Sequence, residues 1–169
     1  TIVTEGDRLN HVINDFVDLA KIESGCVQWQ IDNVDIGEVI NRAVLAVEPL
    51  ALENGLILDT VLEEGLPVLR TDPDRIAQVL ANLLLNGIKY STTGGTVKLH
   101  VYRGDQYTRF EVTDSGAGIA ADEVDRVFDR FHRGSNEGST HPNRKRAGTG
   151  LGLAIAKEID PNIVTIIGG

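Results

Sequence analysis

Apolar residues recur along the chain with two periods, and the switches between them mark out its elements. Near the N-terminus Leu9, Val12, Ile13, Phe16, Leu19 and Ala20 alternate steps of three and four, which lines one face of an amphipathic helix ending at Gly25. So narrow a stripe suits a coiled-coil-like seam with a partner helix or a helix lying on its own domain, and the pattern leaves both open. Val27, Trp29 and Ile31 then alternate with polar residues up to Asp35, the period of a half-buried strand. Asp35 can cap a helix whose Val39, Ile40, Ala43, Val44, Val47, Leu50 and Ala51 repeat at helical spacing until Asn54 and Gly55. Leu56–Leu62 and Pro67–Thr71 predict short strands. Asp72 followed by Pro73 opens a second helix, expected to run to about Lys89.

Thr92 to Gly95 reads as a turn, and Thr96–Tyr102 and Thr108–Thr113 as an antiparallel hairpin joined at Gly104 and Asp105. From Asp114 to Gly150 the pattern changes to a long polar tract with Gly134, Gly138 and Pro142, interrupted by a short helical piece over Asp122–Phe128. Tracts of that kind are functional lids or disordered segments. Leu151–Ile159 is helical in pattern until Pro161 stops it, and Asn162–Ile167 fits a final strand. The alternation of strands and helices predicts an α/β (α+β) sandwich, a mixed sheet with helices on one face, preceded by an N-terminal helix.

A length of 169 residues allows one domain and a short appendage. A formal charge of -9 disfavours nucleic acid as a partner, because binding to phosphates by counterion release needs a field of Lys and Arg. The single cysteine, Cys26, has no partner for an internal disulfide and no companion thiols for a metal, which suits the cytoplasm. No apolar run approaches the roughly 20 residues that cross a bilayer, so membrane attachment is expected only through other parts of a longer parent.

The second helix carries Asn82, Asn86 and Lys89 at i, i+4 and i+7, one stripe with two amides and an ammonium, while Val79, Leu80, Leu83 and Leu84 take the other side. Amide oxygens are acceptable hard ligands for Mg²⁺, and a lysine one turn on can neutralise phosphates. Taken alone, the stripe also fits a solvated helix face. At the end of a strand, Asp114–Ile119 reads DSGAGI, whose glycines let backbone approach a ligand, or merely turn. Gly148–Gly152, GTGLG, leads into the helix LAIAKEI, where free amides and the positive helix end suit an anion, or a hinge.

In this order and spacing, NLLLNGIKYS, DSGAGI, FDRFHR at Phe128–Arg133 and GTGLGLAIAK resemble the ATP-binding domain of sensor histidine kinases, of the GHKL or Bergerat-fold superfamily. The resemblance runs from about Val27 to Ile159, and Asp18–Gly25 is similar to the end of that family's second dimerisation helix. It implies residues 1–25 as part of that helix and residues 26–169 as the catalytic domain. It further implies that Asn86 ligates Mg²⁺, that Asn82 supports the triphosphate, and that Lys89 and Arg130 reach phosphate with Tyr90 against the nucleotide. Asp114 would accept a hydrogen bond from the adenine amino group, with clearance from Gly116 and Gly118. Gly148, Gly150 and Gly152 would wrap the phosphates, Ile119, Thr149 and Leu151 would be further nucleotide-binding residues, and Phe128 and Phe131 would pack the lid. Independently of any family, Arg130, Arg133, Arg144, Lys145 and Arg146 concentrate positive charge in the polar tract, as a triphosphate needs.

ATPases of the same fold place a glutamate one turn before the magnesium asparagine, where it accepts a proton. Here that position is Asn82, so hydrolysis would lose a contribution of roughly 10²- to 10⁴-fold. Transfer to histidine needs no base there, since imidazole is itself nucleophilic. The reading is therefore a protein-histidine kinase acting with Mg-ATP. Its expected partners are a histidine-bearing dimerisation domain and a response regulator, and the parent is expected to be a homodimer. The alternative is a degenerate nucleotide-binding or regulatory module, or a GHKL-type ATPase. None of His11, His100, His132 and His141 stands in the expected acceptor context. Asp160-Pro161 departs from the family's usual Gly-Gly continuation, and either truncation or divergence of the last strands accounts for it. The chain is thus expected to bind ATP without labelling itself: incubation with radiolabelled ATP should leave it unlabelled, and rapid incorporation would show that an acceptor histidine is present.

Overall fold

Two helices of 18 residues form where a capping aspartate meets an apolar stripe: α1 (Ile36–Glu53) and α2 (Pro73–Tyr90). The Asp35 side chain accepts from Glu38 N at 3.2 Å, and Asp72 Oδ1 accepts from Asp74 N at 3.0 Å and Arg75 N at 3.2 Å. These bonds take up amides that the first helical turn cannot pair internally. Pro73 opens α2 where its missing N–H costs nothing. The computed structural model describes residues 13–14, 16–18, 20–21, 23–25, 28–105, 107–119, 126 and 129.

Among these residues there are two sheets. In the smaller, β1 (Asp32–Val34) runs antiparallel to β3 (Leu69–Thr71). In the larger, β2 (Ile57–Leu62) lies parallel to β4 (Thr96–Arg103), which pairs antiparallel with β5 (Thr108–Thr113). A parallel pair needs a crossover, and the stretch holding β3 and α2 supplies it. Val97, Leu99 and Val101 alternate inward along β4 and are fully buried, facing α2. α1 packs on β2 and beside α2, so Val47, Val79, Leu80 and Leu84 close one core between the helices and the sheet. The result is the mixed α/β sandwich expected from the alternation of elements.

Three details differ from the periodicity. The first strand begins at Asp32, and Trp29 and Ile31 are exposed. The amide of Gln30 between them donates to Asp72 Oδ2 at 3.0 Å, so this backbone is held by a side chain rather than by a neighbouring strand. Leu50, counted in the α1 stripe, is exposed at its margin. Residues 13, 14, 16–18, 20, 21 and 23 are helical, and among the described residues Ile13, Phe16 and Val17 stay exposed. Leu9, Val12, Leu19 and Val27 lie outside the described residues, as do the Leu151–Ile159 helix, the Asn162–Ile167 strand and all of the polar tract beyond Ile119 except Arg126 and Asp129. No helix among the described residues is long and apolar enough to cross a membrane.

Asp72 is buried and holds three amides, two in α2 and one in the segment before β1. Asp72→Ala is expected to cost about 1–2 kcal/mol of stability, near the upper range for a lost helix cap. In urea the unfolding midpoint should fall with the slope unchanged.

Candidate functional site

The C-terminal half of α2 presents Asn82, Asn86 and Lys89, all half-buried, while Leu80, Leu83 and Leu84 are buried in the core. The helix can lie this close to the sheet because position 87 is glycine. A Cβ there would meet Val97 Cγ1 at 2.9 Å and Asp114 Cβ at 3.5 Å. Gly87 therefore sets Asp114, at the end of β5, directly against the turn of α2 that carries Asn86. Tyr90 is exposed at the helix end, where Lys89 Nζ donates to its hydroxyl at 3.1 Å and lies 4.7 Å from its ring centroid. A cation–π contact and the negative end of the helix both favour this lysine position, and Lys89 would have to leave Tyr90 to reach a phosphate.

Ser115 holds the loop after β5 in place. Its amide donates to Ser91 Oγ at 3.2 Å, its hydroxyl accepts from Thr96 N at 3.0 Å and donates to Thr96 O at 2.9 Å, and its carbonyl accepts from Thr92 Oγ1 at 3.3 Å. Ser91 is fully buried, and its backbone pairs with Gly116 in an isolated bridge. The end of α2, the start of β4 and the glycine loop thus form one knot. Asp114 Oδ1 accepts from Gly116 N at 2.7 Å, an Asx turn that fixes the carboxylate. A Cβ on Gly116 would lie 2.6 Å from that oxygen and 2.7 Å from Tyr90 O, so only glycine fits. Gly118 takes a φ of 75°, which glycine adopts without strain.

Burial raises the pKa of Asp114 above the ordinary carboxylate value, opposed by the Gly116 hydrogen bond. Partial withdrawal from water disfavours the charged form. A half-buried acceptor beside a helix bearing carboxamides can take a single N–H from a planar base edge.

The structure therefore sets Asp114 and Gly116 against Gly87 and Tyr90 of α2, the helix that also carries Asn82, Asn86 and Lys89, with Gly118 and Ile119 following in the loop. Arg130, Gly148, Thr149, Gly150, Leu151 and Gly152 lie outside the described residues, as do Phe128 and Phe131. Among the described residues no group of three or more His, Cys, Asp or Glu side chains could hold a metal ion. A cleft of about 350 Å³ opens elsewhere, between the start of α1 and the β2–β3 connection. It is edged by Asp35, Glu63 and Glu64, with no Lys or Arg in its lining, so a triphosphate would be repelled there. Ser91, Ser115 and Gly87 escape the periodicity because their roles depend on contacts with distant parts of the chain. The closest signal is the serine inside DSGAGI.

A nucleotide-binding α/β sandwich is the class that this fold and loop define. The family model described as Histidine kinase-, DNA gyrase B-, and HSP90-like ATPase matches residues 71–162, more than half of the chain, and the chain belongs to that family. It is 35% identical over 156 residues to the circadian input-output histidine kinase CikA of Synechococcus elongatus, covering 91% of this chain and 20% of that protein. To the sensor protein kinase WalK of Staphylococcus haemolyticus it is 34% identical over 161 residues, covering 92% of this chain and 25% of that protein. Full-length ShkA, solved in complex with AMPPNP, superposes with a TM-score of 0.77 at 28% identity, covering 92% of this chain and 31% of that one. The chain thus spans about a fifth to a third of these proteins.

For Asp114 the folded pKa lies above the unfolded one, so the folded chain holds this proton more tightly, and the associated stability is lost as pH rises through the folded value. Asp114→Asn, which keeps the shape without the charge, should remove that loss. Denaturation followed from acid to neutral pH is expected to give the variant a flatter profile than wild type.

Proposed function

We propose that this chain is the ATP-binding catalytic part of a sensor histidine kinase. Residues 1–25 would form the end of a dimerisation helix and residues 26–169 the catalytic domain. The observation that carries the reading is the placement of Asp114 against Gly87, one residue from Asn86, with the loop between them locked by Ser115. In that arrangement Asp114 would serve as an acceptor for the adenine amino group, with the carboxamides of Asn82 and Asn86 on the same helix for a metal-bound triphosphate. The donor set fits Mg²⁺, which takes few protein oxygens and keeps water and phosphate for the rest.

Bound Mg-ATP would supply a γ-phosphoryl group for transfer to a histidine imidazole on the dimerisation domain. Asn86 would hold the metal and Asn82 would orient the phosphates. Lys89, once released from Tyr90, and Arg130 would offset charge that develops on the transferring group. The glycines Gly148, Gly150 and Gly152, with Thr149 and Leu151, would close over the phosphates, and Ile119 would border the base. Asn82 cannot accept a proton, which favours transfer to a nucleophilic imidazole over hydrolysis. The catalytic contribution would come from positioning and electrostatics.

The names of CikA and WalK support the kinase over the ATPase or a degenerate module. The response regulator, homodimerisation of the parent and a cytoplasmic location belong to this same reading, with any membrane anchor in a longer parent and no nucleic-acid partner.

Calorimetric titration with ATP should show Mg²⁺-dependent binding. Asn86→Ala is expected to weaken it roughly 10- to 100-fold, the loss of one contact to a charged partner, with the fold intact by circular dichroism. Binding that ignores Mg²⁺ and survives Asn86→Ala would reject the assignment.

A further inference from the structure

The two halves of the candidate site sit on different layers: the carboxamides of Asn82 and Asn86 on α2, and the Asp114 carboxylate just past the end of β5. One ligand touches both only if the gap between helix and sheet has the right width. Elsewhere along α2 that gap is filled by Leu80, Leu84 and Ile88, but at position 87 the helix presents no side chain at all. Glycine is disfavoured within a helix, and the φ of Gly87 is not positive, so its backbone does not call for glycine. What the residue supplies is room. A Cβ there would meet Val97 Cγ1 at 2.9 Å and Cγ2 at 3.5 Å. Val97 is fully buried and β-branched, so turning its side chain only exchanges one methyl for the other. Carbon atoms pack at about 3.5 Å or more, and alanine at 87 would therefore part α2 from β4 by roughly half an ångström. Lys98, next to Val97, pairs with Thr113, next to Asp114, so β5 and its carboxylate would move with β4.

We propose that Gly87 and Val97 set adenine selectivity: together they fix the span between the Asn86 carboxamide and the Asp114 carboxylate, so that a nucleotide anchored through its metal at Asn86 brings its base edge to Asp114. Both are positioning residues, acting through Asn86 and Asp114. The ligand rests on the nucleotide reading, whereas the spacing does not. Binding groups need to be held within about 0.5 Å, and a misplacement of about 1 Å costs on the order of a hundredfold, so half an ångström is worth roughly tenfold. That loss falls on one nucleotide. The adenine edge offers an amino donor to a carboxylate where guanine offers a carbonyl oxygen, so GTP, held through metal and phosphates, has no such bond to lose.

The test titrates Mg-ATP and Mg-GTP into the 169-residue chain as wild type, Gly87→Ala and Gly87→Ala/Val97→Ala. Gly87→Ala is expected to weaken ATP roughly tenfold and leave GTP unchanged, and the double variant, which removes the methyls that the new Cβ meets, to restore the wild-type ratio. Val97→Ile, which adds a methyl on the sheet side of the same gap, should give the same selective loss with Gly87 intact, and decides the matter if Gly87→Ala does not fold. In the nucleotide-free chain the amide signals of Ser115 and Gly116, bonded to Ser91 Oγ and Asp114 Oδ1, should shift in Gly87→Ala and return in the double variant. An unchanged ATP-to-GTP ratio in Gly87→Ala, an equal loss for both nucleotides, or no recovery in the double variant overturns the proposal. If wild type binds neither nucleotide, the nucleotide reading fails and the selectivity with it, while the amide signals still decide whether Gly87 sets the spacing.

Discussion

The structure around the candidate site depends on Ser115. Three pieces of chain meet there: the end of α2 at Ser91 and Thr92, the start of β4 at Thr96, and the loop after β5. Each partner is a backbone group or a short hydroxyl, so the joint has little freedom to shift. Ser91, fully buried, would leave an unsatisfied hydroxyl without it, which costs about 1–3 kcal/mol. Everything proposed for the site follows from this joint, because it decides where Asp114 points and how near it stands to Asn86.

Charge is arranged around that joint in a particular way. The chain carries a formal charge of -9, yet the described part of the site is built from carboxamides, hydroxyls, one lysine and one half-buried carboxylate. The lysine is engaged with Tyr90, and Asp114 is raised in pKa by burial rather than lowered by a cation. Such a surface is suited to a ligand that brings its own cation. The acidic cleft at the start of α1 has the opposite character, which separates the two concave regions chemically.

Much of the fold was legible because it is locally encoded. Asp35 and Asp72 sit one residue before an apolar stripe, and both cap helices as the spacing implies. The β4–β5 hairpin follows from alternation around a turn. Long-range choices were not legible: β2 passes over β3 to pair with β4, and Gln30 is claimed by Asp72, which leaves Trp29 and Ile31 outside any strand. Asn82, Asn86, Lys89 and Asp114 could be picked out from helical spacing and a glycine motif. Ser91 and Ser115 lie inside NLLLNGIKYS and DSGAGI, yet their roles could not, since nothing local shows which distant groups they bind. Their meaning lies in partners between 19 and 24 positions away.

In the proposed function the Ser115 joint presents the Asp114 carboxylate to an adenine edge. The most direct test compares ATP with GTP binding in wild type and in Ser115→Ala. Wild type is expected to prefer ATP strongly, and Ser115→Ala, still folded, to lose much of that preference as the loop loosens. Equal affinity of wild type for the two nucleotides would contradict it, as would an unchanged preference in the variant.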